Sequence, residues 1–181
     1  MAPDPRPTLV KTAPLSQDAV AGFPLLSRER PPSVTDLLVR PLRPEDAASW
    51  RRLWAAYLDF YETSVPAETY DITFARLLHG GDPNMGCRLA LSGGKVVGLV
   101  HFIFHRHCWR PENVCYLQDL YADPAMRGRG VGRALIEAVY AVADSRGTPS
   151  VYWLTQDSNE TARQLYDRIG QPTPFVKYVR G

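Results

Sequence analysis

The run Arg127-Gly128-Arg129-Gly130-Val131-Gly132 lies between a strand-like stretch, 114–121, and a helix-like one, 131–144. Glycines at such a junction let backbone N–H groups approach a phosphate closely, and the start of a helix adds partial positive charge. Arg127, Arg129 and Arg133 add fixed charge and planar donors. The segment reads as a cradle for a diphosphate. It is not a P-loop, which needs Gly, four spacers and then Gly-Lys-Ser/Thr. Counted from Gly128, a dinucleotide fingerprint would need a third glycine at 133, where Arg133 stands. Taken alone, the run also suits a Gly/Arg-rich surface turn or an arginine patch for nucleic acid.

A second segment narrows the choice. Asn159-Glu160-Thr161-Ala162-Arg163-Gln164-Leu165-Tyr166 continues to Gly170 and follows an apolar, β-rich stretch, 151–155. Arg127, Gly130 and Gly132 meet the pattern Arg/Gln-x-x-Gly-x-Gly/Ala, and 159–170 meets Asn-x-x-Ala-x-x-Leu-Tyr…Gly. Two motifs in this order, joined by one helix and one strand, resemble the GCN5-related N-acetyltransferase (GNAT) superfamily. The resemblance runs from about Leu38 to the C-terminus. Within it, Cys115-Tyr116-Leu117-Gln118-Asp119-Leu120-Tyr121 looks most like the diamine acetyltransferases and a fungal subgroup acting on histone-like peptides or D-amino acids.

The resemblance implies an α/β (α+β) fold. Its mixed, mostly antiparallel sheet has a splayed parallel central strand pair, with helices on both faces. It also implies acetyl-CoA as cosubstrate, entering the splay beside the strand that ends at Leu120-Tyr121-Ala122. Backbone groups of Leu120 and Ala122 would hold the acetyl carbonyl and the pantetheine arm. Arg127, Gly128, Arg129, Gly130, Val131 and Gly132 would hold the pyrophosphate. Arg133 would reach the 3′-phosphate or a pyrophosphate oxygen, or is simply an exposed first-turn arginine. Asn159 would contact the pantetheine arm, cap its helix, or do both.

Acetyl transfer to an amine needs a fixed thioester, a neutral amine, and stabilisation of the oxyanion and the departing thiolate. Tyr166 matches the family tyrosine that protonates the thiolate; by helix spacing alone it would be a core tyrosine beside Leu165. A phenol with an ordinary pKa of about 10 keeps its proton at neutral pH and can donate it. The base is less evident. Diamine relatives carry a glutamate where this chain has Gln118, whose amide cannot take a proton. Strict strand alternation would turn Gln118 and Asp119 to opposite sides. The expected route for the amine proton is a water chain ending at Asp119, Glu62 or a histidine.

The acceptor wall is expected from 54–64 and 105–109. Asp59, Glu62 and Asp119 are carboxylates suited to a cationic amine, and Tyr57, Tyr61 and Trp109 are rings suited to its alkyl chain or charge. Solvated acids and core aromatics account for the same residues. His101, His105 and His107 fall on one face of an extended stretch; a polar pocket wall suits them better than a metal, which the family chemistry does not need.

The elements that must position these groups follow from pattern. Residues 37–42 suit a first strand, and Pro44-Glu45-Asp46 opens a helix whose Leu53, Trp54, Tyr57, Leu58 and Tyr61 recur at helical spacing. Residues 67–79 read as a second helix. Residues 87–91 and 95–104 read as a hairpin, 110–113 as a turn, and 114–121 as the central strand. Val131, Leu135, Ala138, Val139 and Val142 form a helical stripe closed by Gly147. Residues 151–155 should run parallel to the central strand. Asp157 and Glu160 suit a capping box for the last helix, and 175–179 a final strand.

The 181 residues suffice for one domain with a core, and the net charge of +2 is too small to imply a nucleic-acid partner. Residues 1–33 carry seven of the sixteen prolines and no sustained period, so a flexible Pro-rich extension is expected there, with the acetyltransferase domain over 34–181. No apolar run approaches a membrane span, no secretory leader is evident, and Cys87, Cys108 and Cys115 form no CxxC pair. A cytoplasmic enzyme acetylating a small-molecule amine is the first expectation. A peptide lysine acetyltransferase and a non-catalytic acetyl-CoA sensor are the alternatives. The short tail after Gly170 leaves room for one strand, whose bare edge would suit a homodimer.

Overall fold

The computed structural model describes residues 37–180, so the expected N-terminal extension, 1–33, lies outside the described residues. Among these, five strands form one sheet in the order β1 (Leu37–Pro41), β2 (Met85–Ser92), β3 (Lys95–His107), β4 (Arg110–Ala122) and β5 (Val151–Tyr152). The first four pair antiparallel and β5 lies parallel to β4. The helices are α1 (Ala47–Phe60), α2 (Ala67–Leu77), α3 (Val131–Ser145) and α4 (Glu160–Ile169).

Strand alternation gives the sheet two apolar faces. On one, Leu89, Leu91 and Leu99 pack with Trp50, Leu53, Trp54 and Leu58 of α1 and Leu77 of α2. On the other, Val100, Phe102, Phe104 and Leu117 pack with Leu135, Ile136, Val139 and Ala143 of α3. The two layers are sealed by side chains at helical spacing, as the apolar stripes require. Helix α3 seats closely because Gly98 lies beneath its first residue. A Cβ there would come within 2.8 Å of the Val131 side chain and 3.0 Å of the Tyr121 carbonyl oxygen.

Four local expectations change. The β3–β4 turn is Cys108-Trp109, since His107 already pairs with Arg110; residues 110–113 belong to the strand. Pro111 is tolerated because the register shifts between His105 and His107, where a missing N–H breaks no ladder bond. Strand β5 holds only two residues rather than five, pairing Val151 with Cys115 and Tyr152 with Tyr116 before the two strands part. No strand forms at 175–179, where Phe175, Val176, Tyr178 and Val179 are exposed. Finally, alternation fails in β4: His101 pairs with Asp119 and Phe102 with Leu117, leaving Gln118 as an extra, unpaired residue. Such a bulge reverses the sidedness of the residues after it. It brings Asp119 to the α1 face, opposite His101, and so breaks the simple in-and-out pattern expected for Gln118 and Asp119.

Candidate active site

Where β4 leaves β5, a cleft of about 750 Å³ opens. Leu120, Tyr121 and Ala122 of β4 form one wall, Asn159, Ala162, Leu165 and Tyr166 the other, and Tyr57, Phe60 and Tyr61 one end. Arg127, Gly128, Gly130, Val131, Gly132 and Arg133 line it as well. Because β5 stops at Tyr152, the outer edge of β4 beyond Tyr116 has no strand partner in the sheet. Its backbone donors and acceptors are available to an extended ligand.

The glycine loop fits a diphosphate. Gly128 and Gly130 hold φ values of 74° and 81°, in the left-handed region that a side chain disfavours. A Cβ built at either would meet nothing within 4 Å, so the loop presents bare backbone to open space. Gly130 is the residue from which α3 starts, and the first-turn N–H groups of a helix have no partner within it. Arg127 and Arg133 are exposed beside them, Arg133 lying 3.5 Å from Glu137. Arg129 is half-buried and outside the cleft lining. The set of amides and guanidinium groups would hold the pyrophosphate of acetyl-CoA, which supplies an acetyl group activated as a thioester.

Asn159 caps α4: its side-chain oxygen accepts from the Ala162 N–H at 3.3 Å while its amide nitrogen lies 3.4 Å from the Thr155 hydroxyl. The cap is therefore Asn159 and not the expected Asp157, which instead pairs with Arg163. The side chain still lines the cleft. Tyr166 stands one wall across from Leu120, its ring 5.5 Å from that of Trp153. Burial, with a smaller effect from Tyr61, pushes its phenol up to about 12, so it is fully protonated at neutral pH.

The remaining candidates scatter. Asp119 is buried and accepts a hydrogen bond from His101 Nδ1 at 2.9 Å, while Trp50 Nε1 donates to His101 Nε2 at 2.8 Å. Burial first, then the charge of nearby Asp119, raises the Tyr57 phenol far above the usual value. Gln118 is exposed on its bulge. Asp59 and Glu62 are exposed at the end of α1 and beyond it, outside the cleft lining. Trp109 is 86% exposed at the β3–β4 turn, beside His107 and away from the cleft. The three histidines do not act together: His101 belongs to Asp119, His105 lies 3.0 Å from the Tyr152 hydroxyl, and His107 sits against Trp109. From sequence, Tyr57 is only an acceptor-side ring and Trp50 has no role. The one signal for either is a histidine and an aspartate placed among apolar strand residues.

Residues 50–171 match the model of the acetyltransferase (GNAT) family. The chain belongs to this family. It is similar to the D-amino-acid N-acetyltransferase HPA3 of Saccharomyces cerevisiae, at 37% identity over 86% of this chain and 98% of that one. It is also similar to the thialysine N-epsilon-acetyltransferase of Mus musculus, at 27% identity over 73% of this chain and 82% of that one. Among solved structures, the aminoglycoside N-acetyltransferase AAC(6')-Iy in complex with CoA superposes with a TM-score of 0.70. That match has 17% identity and covers 80% of this chain and 94% of that chain. The GNAT fold expected from the motifs is thus present, and the protein is an acetyl-CoA-dependent N-acetyltransferase. No described helix of this GNAT enzyme is long and apolar enough to cross a membrane.

Proposed function

We propose that this GNAT enzyme moves the acetyl group of acetyl-CoA to a primary amine of a small molecule, by direct attack, with Tyr166 as general acid. Diamines, polyamines and amino-acid derivatives are the acceptor classes. The observation that carries the reading is the placement of a protonated phenol on the same cleft as the open edge of β4 and the glycine loop. Arg127 to Arg133 hold the phosphates, and Asn159 and the backbone of Leu120 and Ala122 align the pantetheine arm. The Leu120 amide supports the developing oxyanion, and Tyr166 gives its hydroxyl proton to the departing sulfur. Asp119 serves the amine side. The yeast and mouse relatives support a small acceptor, since one acts on D-amino acids and the other on thialysine.

The catalytic unit spans 34–181 in this reading. Its cysteines, Cys87, Cys108 and Cys115, are unbridged, which suits a reducing cytoplasm. The exposed apolar tail at Phe175, Val176, Tyr178 and Val179 supports a homodimer in which a second copy covers it. Sedimentation at high concentration that finds only monomer rejects the dimer.

The decisive assay mixes the full chain with acetyl-CoA and a panel of diamines, D- and L-amino acids, thialysine and lysine peptides, and measures thiol release. Turnover of small amines is expected. Turnover of peptides alone would replace the acceptor class. Tight binding of acetyl-CoA without turnover of any amine would make the protein a sensor.

A further inference from the structure

We propose that Arg88 and Arg146 form a second anion site, at the far end of α3 from the glycine loop, which takes a small organic molecule through its phosphate or carboxylate group. The site stands outside the acetylation chemistry and does not depend on which amine is the acceptor.

A cavity of about 600 Å³ opens between the end of β1, the start of β2, the 78–83 loop after α2 and the last turn of α3. It shares no lining residue with the active-site cleft. Helix α3 runs from one to the other. Val131 lines the cleft, and Val142 and Arg146 line the second cavity, so the two lie about 20 Å apart along the helix axis. A space of this size suits a small organic ligand.

Two guanidinium groups belong to its wall. Cys87 and Leu89 point into the α1 layer, so strand alternation sends Arg88, between them, to the α3 side of the sheet. There its guanidinium carbon sits 5.7 Å from the centre of the Phe102 ring, and that of Arg146 sits 4.4 Å from the centre of the Phe104 ring. The two rings meet edge to face at 5.8 Å. Each arginine also donates to a backbone carbonyl: Arg88 Nη1 to Cys87 at 3.1 Å and Arg146 Nη1 to Pro83 at 2.9 Å. Ring and carbonyl together orient each planar fork, and most of its N–H donors are left for a ligand.

Neither arginine pairs with a carboxylate among the described residues. Arg40, also half-buried, is by contrast held by both oxygens of Asp46. Asp82, the one acid on the cavity wall, accepts the Asn84 N–H at 2.8 Å and bridges to neither arginine. Burial, with a smaller push from the Arg146 charge, lowers the Arg88 pKa from the ordinary arginine value. An enclosed cation without a counter-charge costs free energy, and an oxyanion seated against both forks offsets the burial and the mutual repulsion together. Leu42, Leu77, Leu78 and Val142 on the same wall supply contact for an apolar portion of the ligand.

The test is calorimetry on the full chain, saturated with coenzyme A so that the phosphate cradle is filled, at fixed ionic strength in chloride. The probes are inorganic phosphate, hexyl phosphate and hexanoate. Saturable binding of hexyl phosphate or hexanoate, tighter than that of inorganic phosphate, is expected. Arg88→Met keeps the stem over Phe102 and should weaken it at least about 10-fold; Arg146→Gln, at an exposed guanidinium, should weaken it at least about 3-fold. Thermal unfolding in chloride alone shows whether either variant is itself damaged, and Arg146→Gln decides the matter if Arg88→Met is. No saturable heat with any probe, inorganic phosphate binding as tightly as hexyl phosphate, or unchanged affinity in both variants overturns the site.

Discussion

Arg40 grips Asp46 with both arms of its guanidinium, Nη1 at 2.6 Å from one carboxylate oxygen and Nη2 at 2.8 Å from the other. Asp46 is 5% exposed and also accepts the backbone N–H of Arg43 at 2.9 Å. The pair ties the end of β1 to the 3-10 turn, Pro44–Asp46, that launches α1. The clasp thus anchors the start of α1, whose far end brings Tyr57 and Phe60 to the cleft. The Arg40 hydrogen bonds hold the Asp46 carboxyl below the usual carboxylate range, against the opposing effect of burial.

Acid stability depends on that shift. The folded pKa lies below the unfolded one, so the stabilisation is complete above about pH 5 and is lost as pH falls through the ordinary carboxylate value and below it. Asp46→Ala removes the acceptor and leaves Arg40 half enclosed, at a cost of about 3 kcal/mol. Urea unfolding at pH 7 and pH 3 measures it, with a smaller difference between variant and wild type at the lower pH.

Tyr166→Phe keeps the ring and its contact with Trp153 but removes the transferable proton. Turnover should fall about 100-fold or more, with acetyl-CoA affinity unchanged within about 2-fold, as read by steady-state kinetics and calorimetry. Because burial pushes this phenol up to about 12, wild-type kcat should show no alkaline decline belonging to Tyr166 below about pH 11.

Gly130→Ala tests the phosphate cradle. The methyl meets no protein atom, so the folding cost is backbone strain at φ 81°, about 1–2 kcal/mol. The same methyl points into the space where the pyrophosphate would lie. Calorimetry should show coenzyme A affinity reduced at least about 10-fold.

Alkaline lability is expected from buried thiols and phenols. Burial raises Cys87 above its usual value, Cys115 to about 11 and Tyr166 to about 12. Raised folded pKa values mean stability that is present below the unfolded value of about 9 to 10 and is lost as pH climbs through about 11 to 12. Tm measured from pH 8 to 11 should drop, and Cys115→Ser should lessen the slope.

Trp109→Ala should leave kcat and KM within about 2-fold of wild type. Its ring stands in solvent at the β3–β4 turn and only touches His107. A loss above about 10-fold with small amines would show that an acceptor reaches that turn.

The glycine loop and the tyrosine helix were legible in the sequence because their geometry is local. Positive φ, a helix start and a phenol one face away from solvent are properties of short spans, and the family patterns lie within them. The first two helices and the β2–β3 hairpin were equally local, since Gly93 and Gly94 supply the left-handed turn and α1 shows its apolar face at helical spacing. The β3–β4 turn was misplaced because Pro111 signals a break, and only the register shows that a strand absorbs it beside a bulge.

By itself the sequence marked the glycine loop, Arg127, Arg133 and the Tyr166 phenol, which the fold brings to one cleft. Tertiary structure alone decided the surroundings of Asp119. Gln118 is squeezed out of register, so Asp119 turns to the α1 face, where His101, held by Trp50 of α1, meets it. A phosphate cradle needs neighbours in sequence, whereas a buried carboxylate takes its function from whichever donors the packed layers bring against it.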